Sequence, residues 1–423
     1  MGKHSKSKPD DSDKKNPKLN ENFKRNPNGL IVWFICAIGI FVVLLSSVSI
    51  VFPGLIISIV DVNLFGEPFE IGTMGIPFII INIIVFSLIL LHLKKRLPEI
   101  FTIISEKIFS FDLSKRNSFV ILGIILAIYI ATSANELSIN EVEQYGDYLV
   151  LERAINVWPE QEAENKYLAE QLDRHVRMAL LVASEEVFHN IKVIPYLASI
   201  FLLITTYFLT VKLSDRNFTG LVAVILILQS STFYIYDTIA VYENFWVLFY
   251  VFSIYLIFKK PKFSSIFFIL SIFSKAIFVL WLPISILVTL LSDIPKNKKI
   301  FVITTHIVVI IISLIIFQYS DAVYGNVIDI EVSEFWIGFT TLASNLRFDI
   351  VLLLLLLPVS AGLFLKARNG SKNSISLIVL ISGTILVTPI LEMITDYYFV
   401  YPYRYVPLVV FFAIGLSTLF SKK

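Results

Sequence analysis

The chain has 423 residues, of which 56% are apolar and 16% are charged, with a formal net charge of +2 and one cysteine. Soluble proteins contain about 25% charged residues, so this composition excludes a water-soluble globular enzyme. The single cysteine, Cys36, also excludes an internal disulfide framework. The apolar residues occur in blocks of about 20, which is the length that a helix needs to cross a bilayer.

The chain begins with a polar segment, residues 1–28, whose Lys, Asp, Asn and Pro content predicts a disordered cytoplasmic tail. The first apolar block follows it and is too long for a signal peptide, so it predicts a retained span. Windowed hydropathy predicts twelve transmembrane helices in all. These are residues 30–51, 74–93, 118–134, 191–211, 218–236, 244–258, 263–274, 276–291, 300–318, 350–365, 374–391 and 404–421.

The distribution of charge predicts the orientation of these spans, because Lys and Arg favour the cytoplasmic side. With the tail inside, 27 of the 35 Lys and Arg residues fall on inner segments and 24 of the 33 Asp and Glu residues fall on outer ones. Both termini are then cytoplasmic. A single long helix over residues 263–291 would break this alternation, so we expect a hairpin or re-entrant pair with Lys275 at or near its outer tip.

Three parts of the chain follow from this map. After the tail, residues 29–117 carry two transmembrane helices and a basic cytoplasmic loop, and residues 118–421 form the main transmembrane domain. The outer loop at residues 135–190 has apolar residues at helical spacing over 148–158 and 162–188, which predicts amphipathic helices along the membrane surface. The predicted fold class is an all-α polytopic membrane protein.

Ionisable residues are nearly absent from the predicted spans, which disfavours an ion-coupled transport path. They gather instead at the outer ends of the spans, where any chemistry is expected. The residues of interest are Glu141, Glu143 and Asp147 after span three, Lys192 before span four, Asp237 and Glu243 between spans five and six, Lys275, Arg347 before span ten, and Arg404 before span twelve.

The order of several segments resembles a known family. The acidic loop reads NELSINEVEQYGDYLVLERAI, and a basic residue then opens a helix at Lys192. An aromatic-rich stretch, SSTFYIYDTIAVYENFWVLFYVFSIYLIFKK, is followed by SIFSKAIFVLWLP and by a late Arg-Tyr in YPYRYVPLVVFFAIGL. Over residues 118–421 this layout resembles the GT-C glycosyltransferases that use polyisoprenyl-phosphate sugars, such as protein O-mannosyltransferases and lipid A aminoarabinose transferases.

The resemblance implies an inverting transfer of a sugar from a polyisoprenyl-phosphate donor to an acceptor on the non-cytoplasmic face. The acceptor hydroxyl needs a carboxylate base opposite the leaving group, and the candidates are Glu141, Glu143 and Asp147. The leaving phosphate needs preplaced cations, and the candidates are Arg404 and Lys275, followed by Arg347 and Lys192. Asp237 and Glu243 form a second acidic site.

Other interpretations stay open at this point. The three loop carboxylates are also compatible with a solvated acidic loop, and the arginines and Lys192 with snorkelling at helix ends. A divalent cation bound by carboxylates such as Glu141, Glu143 or Asp237 is conceivable, but no spacing demands it. The sequence has no glycine-rich phosphate loop, zinc-ligand cluster or basic aromatic groove for nucleic acid. The alternative functions are a multi-span transporter or lipid flippase, or a non-catalytic GT-C-like subunit.

Overall fold

The structure, a computed structural model, describes residues 27–57, 67–142, 144–160, 175–319, 330–394 and 402–421. Within these ranges it is all-helical. The helices in chain order are α1 Pro27–Val51, α2 Pro53–Ile57, α3 Gly75–Leu93, α4 Glu99–Ser110, α5 Lys115–Ser133, α6 Tyr148–Val157, α7 His175–Phe188, α8 Val193–Ser214, α9 Asn217–Leu228, α10 Ser231–Tyr236, α11 Phe245–Lys259, α12 Ser264–Ser274, α13 Leu282–Leu291, α14 Lys296–Tyr319, α15 Glu334–Leu346, α16 Ile350–Arg368, α17 Lys372–Ile394 and α18 Val406–Leu419.

Seven of the described helical segments are long and apolar enough to cross a membrane, which indicates a membrane-embedded protein. They are Val32–Val51, Gly75–Leu93, Lys115–Ser138, Val193–Ser214, Ile350–Arg368, Lys372–Ile394 and Pro402–Leu419. Each overlaps a predicted span. Four further apolar segments of the described chain, α9, α11, Pro261–Ser274 and Ala276–Leu291, are shorter than a full crossing.

Helices α17 and α18 form the centre of the bundle. α17 packs against α1, α13, α15 and α16, and α18 packs against α8, α9, α16 and α17. Both helices are buried over most of their length. α8 also packs against α9 and α11, and α11 packs against α12. The helices packed on α17 and the helices packed on α18 are therefore joined by the contact between α17 and α18.

The first transmembrane helices pack onto the second half of the chain. α1 contacts α15, α16 and α17, while α3 contacts α16. In α3 the buried Asn82 donates a hydrogen bond from its side-chain amide to the Leu354 carbonyl oxygen of α16 at 3.2 Å. The segment at residues 29–117 is therefore joined to residues 118–421 by direct contacts.

Two local features differ from the predicted spans. The predicted span at 218–236 is divided into α9 and α10, because Ser230 caps a new helix by accepting a hydrogen bond from the Phe233 amide at 3.0 Å. Helix α15 lies outside all twelve predicted spans. It packs on α17 at Gly338, where an added Cβ would lie 2.5 Å from the Pro389 Cα.

The outer loop contains the two helices α6 and α7, in agreement with the predicted helical spacing. Leu151, Ala154 and Ile155 of α6 are buried, so this helix presents one apolar face to the protein. The first part of the predicted second helix, residues 162–174, lies outside the described residues.

Candidate functional site

Glu141 connects the acidic loop to the turn between α10 and α11. Its side chain is only 1% exposed. The carboxylate accepts hydrogen bonds from the backbone amides of Ala240 at 2.8 Å and Val241 at 3.3 Å. Burial raises the pKa of Glu141, whereas the two amides and Lys192 act to lower it. The carboxylate is therefore held inside the protein and does not point into open solvent.

Lys192 precedes α8 and lies beneath the same loop. Its ammonium donates hydrogen bonds to the carbonyl oxygens of Glu136 at 2.6 Å and Ile139 at 3.1 Å. The Oε1 atom of Glu141 lies 3.8 Å from its Nζ atom. Burial lowers the pKa of Lys192, and the negative charge of Glu141 acts to raise it. Three oxygen atoms thus surround this ammonium, which fixes the loop to the start of α8.

Asp237 ends α10 and is 1% exposed. The Tyr129 hydroxyl of α5 donates a hydrogen bond to its Oδ2 atom at 2.6 Å, and the Ser199 hydroxyl of α8 donates to its backbone carbonyl at 2.7 Å. Burial raises the pKa of Asp237 to about 7 although Tyr129 lowers it, and the nearby Glu136 raises it further. Through its carboxylate and its backbone carbonyl, Asp237 links the end of α10 to α5 and α8.

Glu243 forms an ion pair with Arg177 of α7, with 2.9 Å between Nε and Oε2. Arg177 also donates to the Val241 carbonyl oxygen at 2.6 Å. Burial raises the pKa of Glu243, while Arg177 and then Lys275 act to lower it. Sequence analysis did not single out Arg177, since it belongs to an amphipathic helix rich in charged residues.

Four tyrosines link the acidic loop to the start of α18. Tyr145 of the loop lies edge-on to Tyr242, with 5.1 Å between ring centroids. Tyr242 stacks on Tyr403 at 4.5 Å, and Tyr236 lies edge-on to Tyr403 at 5.7 Å. We call Tyr145, Tyr236, Tyr242 and Tyr403 the tyrosine cluster. It brings together three segments that are far apart in the sequence.

Lys275 lies at the break between α12 and the following helical turn, Ala276–Trp281, as its predicted place in the pair implied. Its partly buried ammonium donates a hydrogen bond to the Tyr403 hydroxyl at 2.9 Å. The Nζ atom also lies 4.1 Å from the Tyr403 ring centroid and 5.1 Å from that of Trp246. Within the described part of the chain, no carboxylate oxygen is at ion-pair distance from this ammonium.

Arg404 is the residue after Tyr403 in the sequence. Its Nε atom donates a hydrogen bond to the same Tyr403 hydroxyl at 3.3 Å. Lys275 and Arg404, which are 129 positions apart in the printed sequence, therefore meet at one phenol oxygen. We call Lys275, Tyr403 and Arg404 the cation cluster. The tyrosine cluster connects it to the acidic loop through Tyr242 and Tyr145.

The remaining candidates occupy different positions. Arg347 is exposed at the junction of α15 and α16, with its guanidinium 5.0 Å from the ring of its neighbour Phe348. Asp147 is partly exposed immediately before α6 and makes no side-chain cap to that helix. Glu143 lies outside the described residues. The structure thus brings Lys275 and Arg404 together, and places Lys192 in a separate network with Glu141.

A cavity of about 320 Å³ opens on the other side of the acidic loop. Its lining includes Asn140, Tyr148, Glu152, Glu185 and Lys192. The cavity is bounded by α6, the end of α7 and the start of α8, so it lies beside Lys192 rather than within the cation cluster.

The divalent cation stays a prediction from the sequence. Glu141 and Asp237 already accept hydrogen bonds from protein donors. Among the residues that the structure describes, no group of three or more His, Cys, Asp or Glu side chains could hold a metal ion.

Comparison with known proteins finds no matching family model, no matching curated protein and no matching solved structure. The GT-C resemblance accordingly stays a prediction from the sequence, and functional interpretation has to rest on the geometry of the site.

Proposed function

We propose that this chain is a twelve-span, GT-C-like membrane glycosyltransferase that moves a sugar from a polyisoprenyl-phosphate donor to an acceptor on the non-cytoplasmic face. The observation that carries the proposal is the set of groups around the Lys275 ammonium. Its partly buried ammonium contacts a phenol and two aromatic rings. Among the described carboxylates, Glu243 acts on this ammonium only from beyond ion-pair distance. A buried cation that has no ion-pair partner among the described residues is costly, so an anionic ligand at this position would be stabilised.

The chemistry of the donor fits the cation cluster. During transfer, the bond between the anomeric carbon and the phosphate oxygen breaks, and the phosphate diester becomes a monoester with an additional negative charge. Lys275 and Arg404 supply two positive charges around the Tyr403 hydroxyl. Preplaced cations of this kind stabilise charge that develops in the transition state. The aromatic rings of Trp246 and Tyr403 provide an apolar wall beside them.

The acidic loop supplies the base. Tyr145 connects the loop to the tyrosine cluster, and Glu143 and Asp147 flank Tyr145 in the sequence. We assign proton removal from the acceptor hydroxyl to one of these two carboxylates. Glu141 has a different role, because its carboxylate is occupied by the amides of Ala240 and Val241 and holds the loop in place. Proton abstraction and attack occur on the face of the sugar opposite the phosphate, which inverts the anomeric carbon.

The test uses the purified full-length protein in proteoliposomes with polyisoprenyl-phosphate mannose and polyisoprenyl-phosphate glucose as probes. The readouts are binding of polyisoprenyl phosphate and its release from each probe. Lys275→Met should lower release by about 100-fold, as expected for loss of one transition-state charge contact, and Lys275→Arg should restore part of it. The matched control is Lys372→Met, since Lys372 is an exposed lysine paired with Asp293.

Glu143→Gln and Asp147→Asn, tested separately, identify the base. The proposal predicts that one of them abolishes release while leaving polyisoprenyl phosphate binding unchanged. If the wild-type protein neither binds the lipid phosphate nor releases it, the proposal is wrong. Binding that depends on Lys275 without any release, together with wild-type behaviour of both carboxylate variants, would instead support a lipid flippase or a non-catalytic subunit.

A further inference from the structure

Helix α4, between the predicted second and third spans, has three chemically different sides. Ile100, Phe101, Ile104 and Ile108 fall within an arc of about 100° at helical spacing, and they are between 39% and 71% exposed. In the described residues none of the helix is fully buried. This apolar side therefore has no protein covering it among the described residues.

The other two sides have clear partners. Thr102, Ser105 and Phe109 face the protein: the first two are partly buried, and the Phe109 ring lies 6.1 Å from that of Phe420. Glu99, Glu106 and Ser110 form the third side, which is polar and exposed. The apolar side is thus directed away from both the bundle and the polar side.

The end of α4 is fixed at a membrane boundary. Arg216, between α8 and α9, donates hydrogen bonds to the carbonyl oxygens of Phe109 and Phe111 at the end of α4 and of Phe420 at the end of α18. α8 and the segment Pro402–Leu419 are both long and apolar enough to cross a membrane, so their ends mark the bilayer surface. α4 therefore lies at the level where these spans leave the membrane.

The charged residues around α4 indicate which kind of membrane surface it would bind. Six exposed basic residues surround it in the segment 94–116, against three carboxylates. They are Lys94, Lys95, Arg96, Lys107, Lys115 and Arg116. A helix that combines an exposed apolar stripe with flanking Lys and Arg has the properties of a segment that lies in the interface of an anionic bilayer.

We infer that α4 is an in-plane binding surface for anionic phospholipids, with Ile100, Phe101, Ile104 and Ile108 inserted at the boundary between headgroups and acyl chains. The basic residues at both ends of the helix contact the lipid phosphates. This inference is independent of the proposed sugar transfer, because it uses no residue of the cation cluster or the acidic loop.

The test places an environment-sensitive fluorophore, nitrobenzoxadiazole, on single cysteines in the full-length protein. Cys36, which is buried in α1, is first replaced by Ala. Ile104→Cys reports on the apolar side and Glu106→Cys, two positions away on the polar side, is the matched control. Both labelled proteins are placed in vesicles of phosphatidylcholine with or without phosphatidylglycerol, each containing an acyl-chain spin label as quencher.

The expected result is quenching at position 104 that is at least about threefold greater than at position 106, as for a residue inserted below the headgroups. Phosphatidylglycerol should increase the quenching at 104, and neutralising Lys94, Lys95 and Arg96 to Gln should abolish that increase. Equal quenching at the two positions would overturn the inference, as would an absent effect of phosphatidylglycerol. A label at 104 that is shielded from the lipid quencher but close to a second labelled copy would show a protein partner instead.

Discussion

Two lysines near the outer loop differ in what surrounds their ammonium groups. Lys192 is 4% exposed and has two backbone carbonyls and the Glu141 carboxylate around its Nζ atom. Lys275 is partly buried and has a phenol and two aromatic rings. The first ammonium has an ion-pair partner within the protein, whereas the second has none at ion-pair distance among the described residues. Under the proposed function, the same residue type serves as an internal crosslink at one place and as an anion receptor at the other.

The strongest test of this difference is the stability of Lys192→Met. The substitution removes the cation from among the carbonyl oxygens of Glu136 and Ile139 and the carboxylate of Glu141, and leaves the buried Glu141 carboxylate without this ion pair. Breaking a buried charge pair in this way costs about 3–5 kcal/mol of unfolding free energy. Thermal unfolding of the purified protein in detergent measures the loss.

Lys275→Met is the matched control for that experiment, because it leaves no described carboxylate unpaired. Its effect on unfolding should be about 1 kcal/mol, the contribution of the lost hydrogen bond to Tyr403. Equal destabilisation by the two variants would contradict the distinction between a satisfied lysine and a receptor lysine.

The network around Asp237 makes a second prediction, which concerns pH. The pKa of Asp237 is raised to about 7 by burial, so the folded protein keeps this proton after the unfolded chain has lost it. Between about pH 4 and about pH 7 the folded state binds more protons, and the contribution of this group to stability is lost as the pH rises through that window. Each pKa unit corresponds to about 1.4 kcal/mol.

In Asp237→Asn, the melting temperature should therefore fall less than in the wild type as the pH rises from about 4 to about 7. Asp293→Asn is a suitable control, because the pKa of the exposed Asp293 is lowered by its hydrogen bond to Lys372 and its contribution is lost in the opposite direction, as the pH falls. An Asp237→Asn profile parallel to that of the wild type would show that the carboxyl is ionised throughout.

The length of apolar runs was enough to predict most of the long helices. The predicted spans 74–93 and 374–391 correspond to α3 at Gly75–Leu93 and α17 at Lys372–Ile394. The helix break at Lys275 agrees with the predicted pair of helices, whereas the return of the chain to the cytoplasmic side stays a prediction. Windowed hydropathy does not predict α15, because this helix has 13 residues and is too short for a span. Its buried Phe339, Leu342 and Leu346 follow helical spacing, and it is stabilised by packing on α1, α2 and α17.

The sequence predicts which residues belong to the candidate site, but it does not predict which of them contact each other. Lys275 and Arg404 were named together from their positions at span ends, and the structure places both at the Tyr403 hydroxyl. The pairing of Glu141 with the amides of Ala240 and Val241 was not predictable. Those amides are about 100 positions further along the chain, and no hydropathy pattern identifies the partner of a buried carboxylate.

The smallest expected effect is that of Tyr403→Phe, which distinguishes the Tyr403 hydroxyl from the two cations in the cation cluster. Tyr403→Phe keeps the ring that stacks on Tyr242 and lies near Lys275, and removes the hydroxyl that accepts hydrogen bonds from Lys275 and Arg404. The two hydrogen bonds lost lie within the protein, at about 0.5–1.5 kcal/mol each, and the charges of Lys275 and Arg404 are kept, so the affinity for polyisoprenyl phosphate should change by a factor of about ten or less. Equilibrium binding measures this, with Tyr145→Phe as a control in the same tyrosine cluster. A loss as large as that of Lys275→Met would mean that the phenol itself, rather than the ammonium beside it, holds the phosphate.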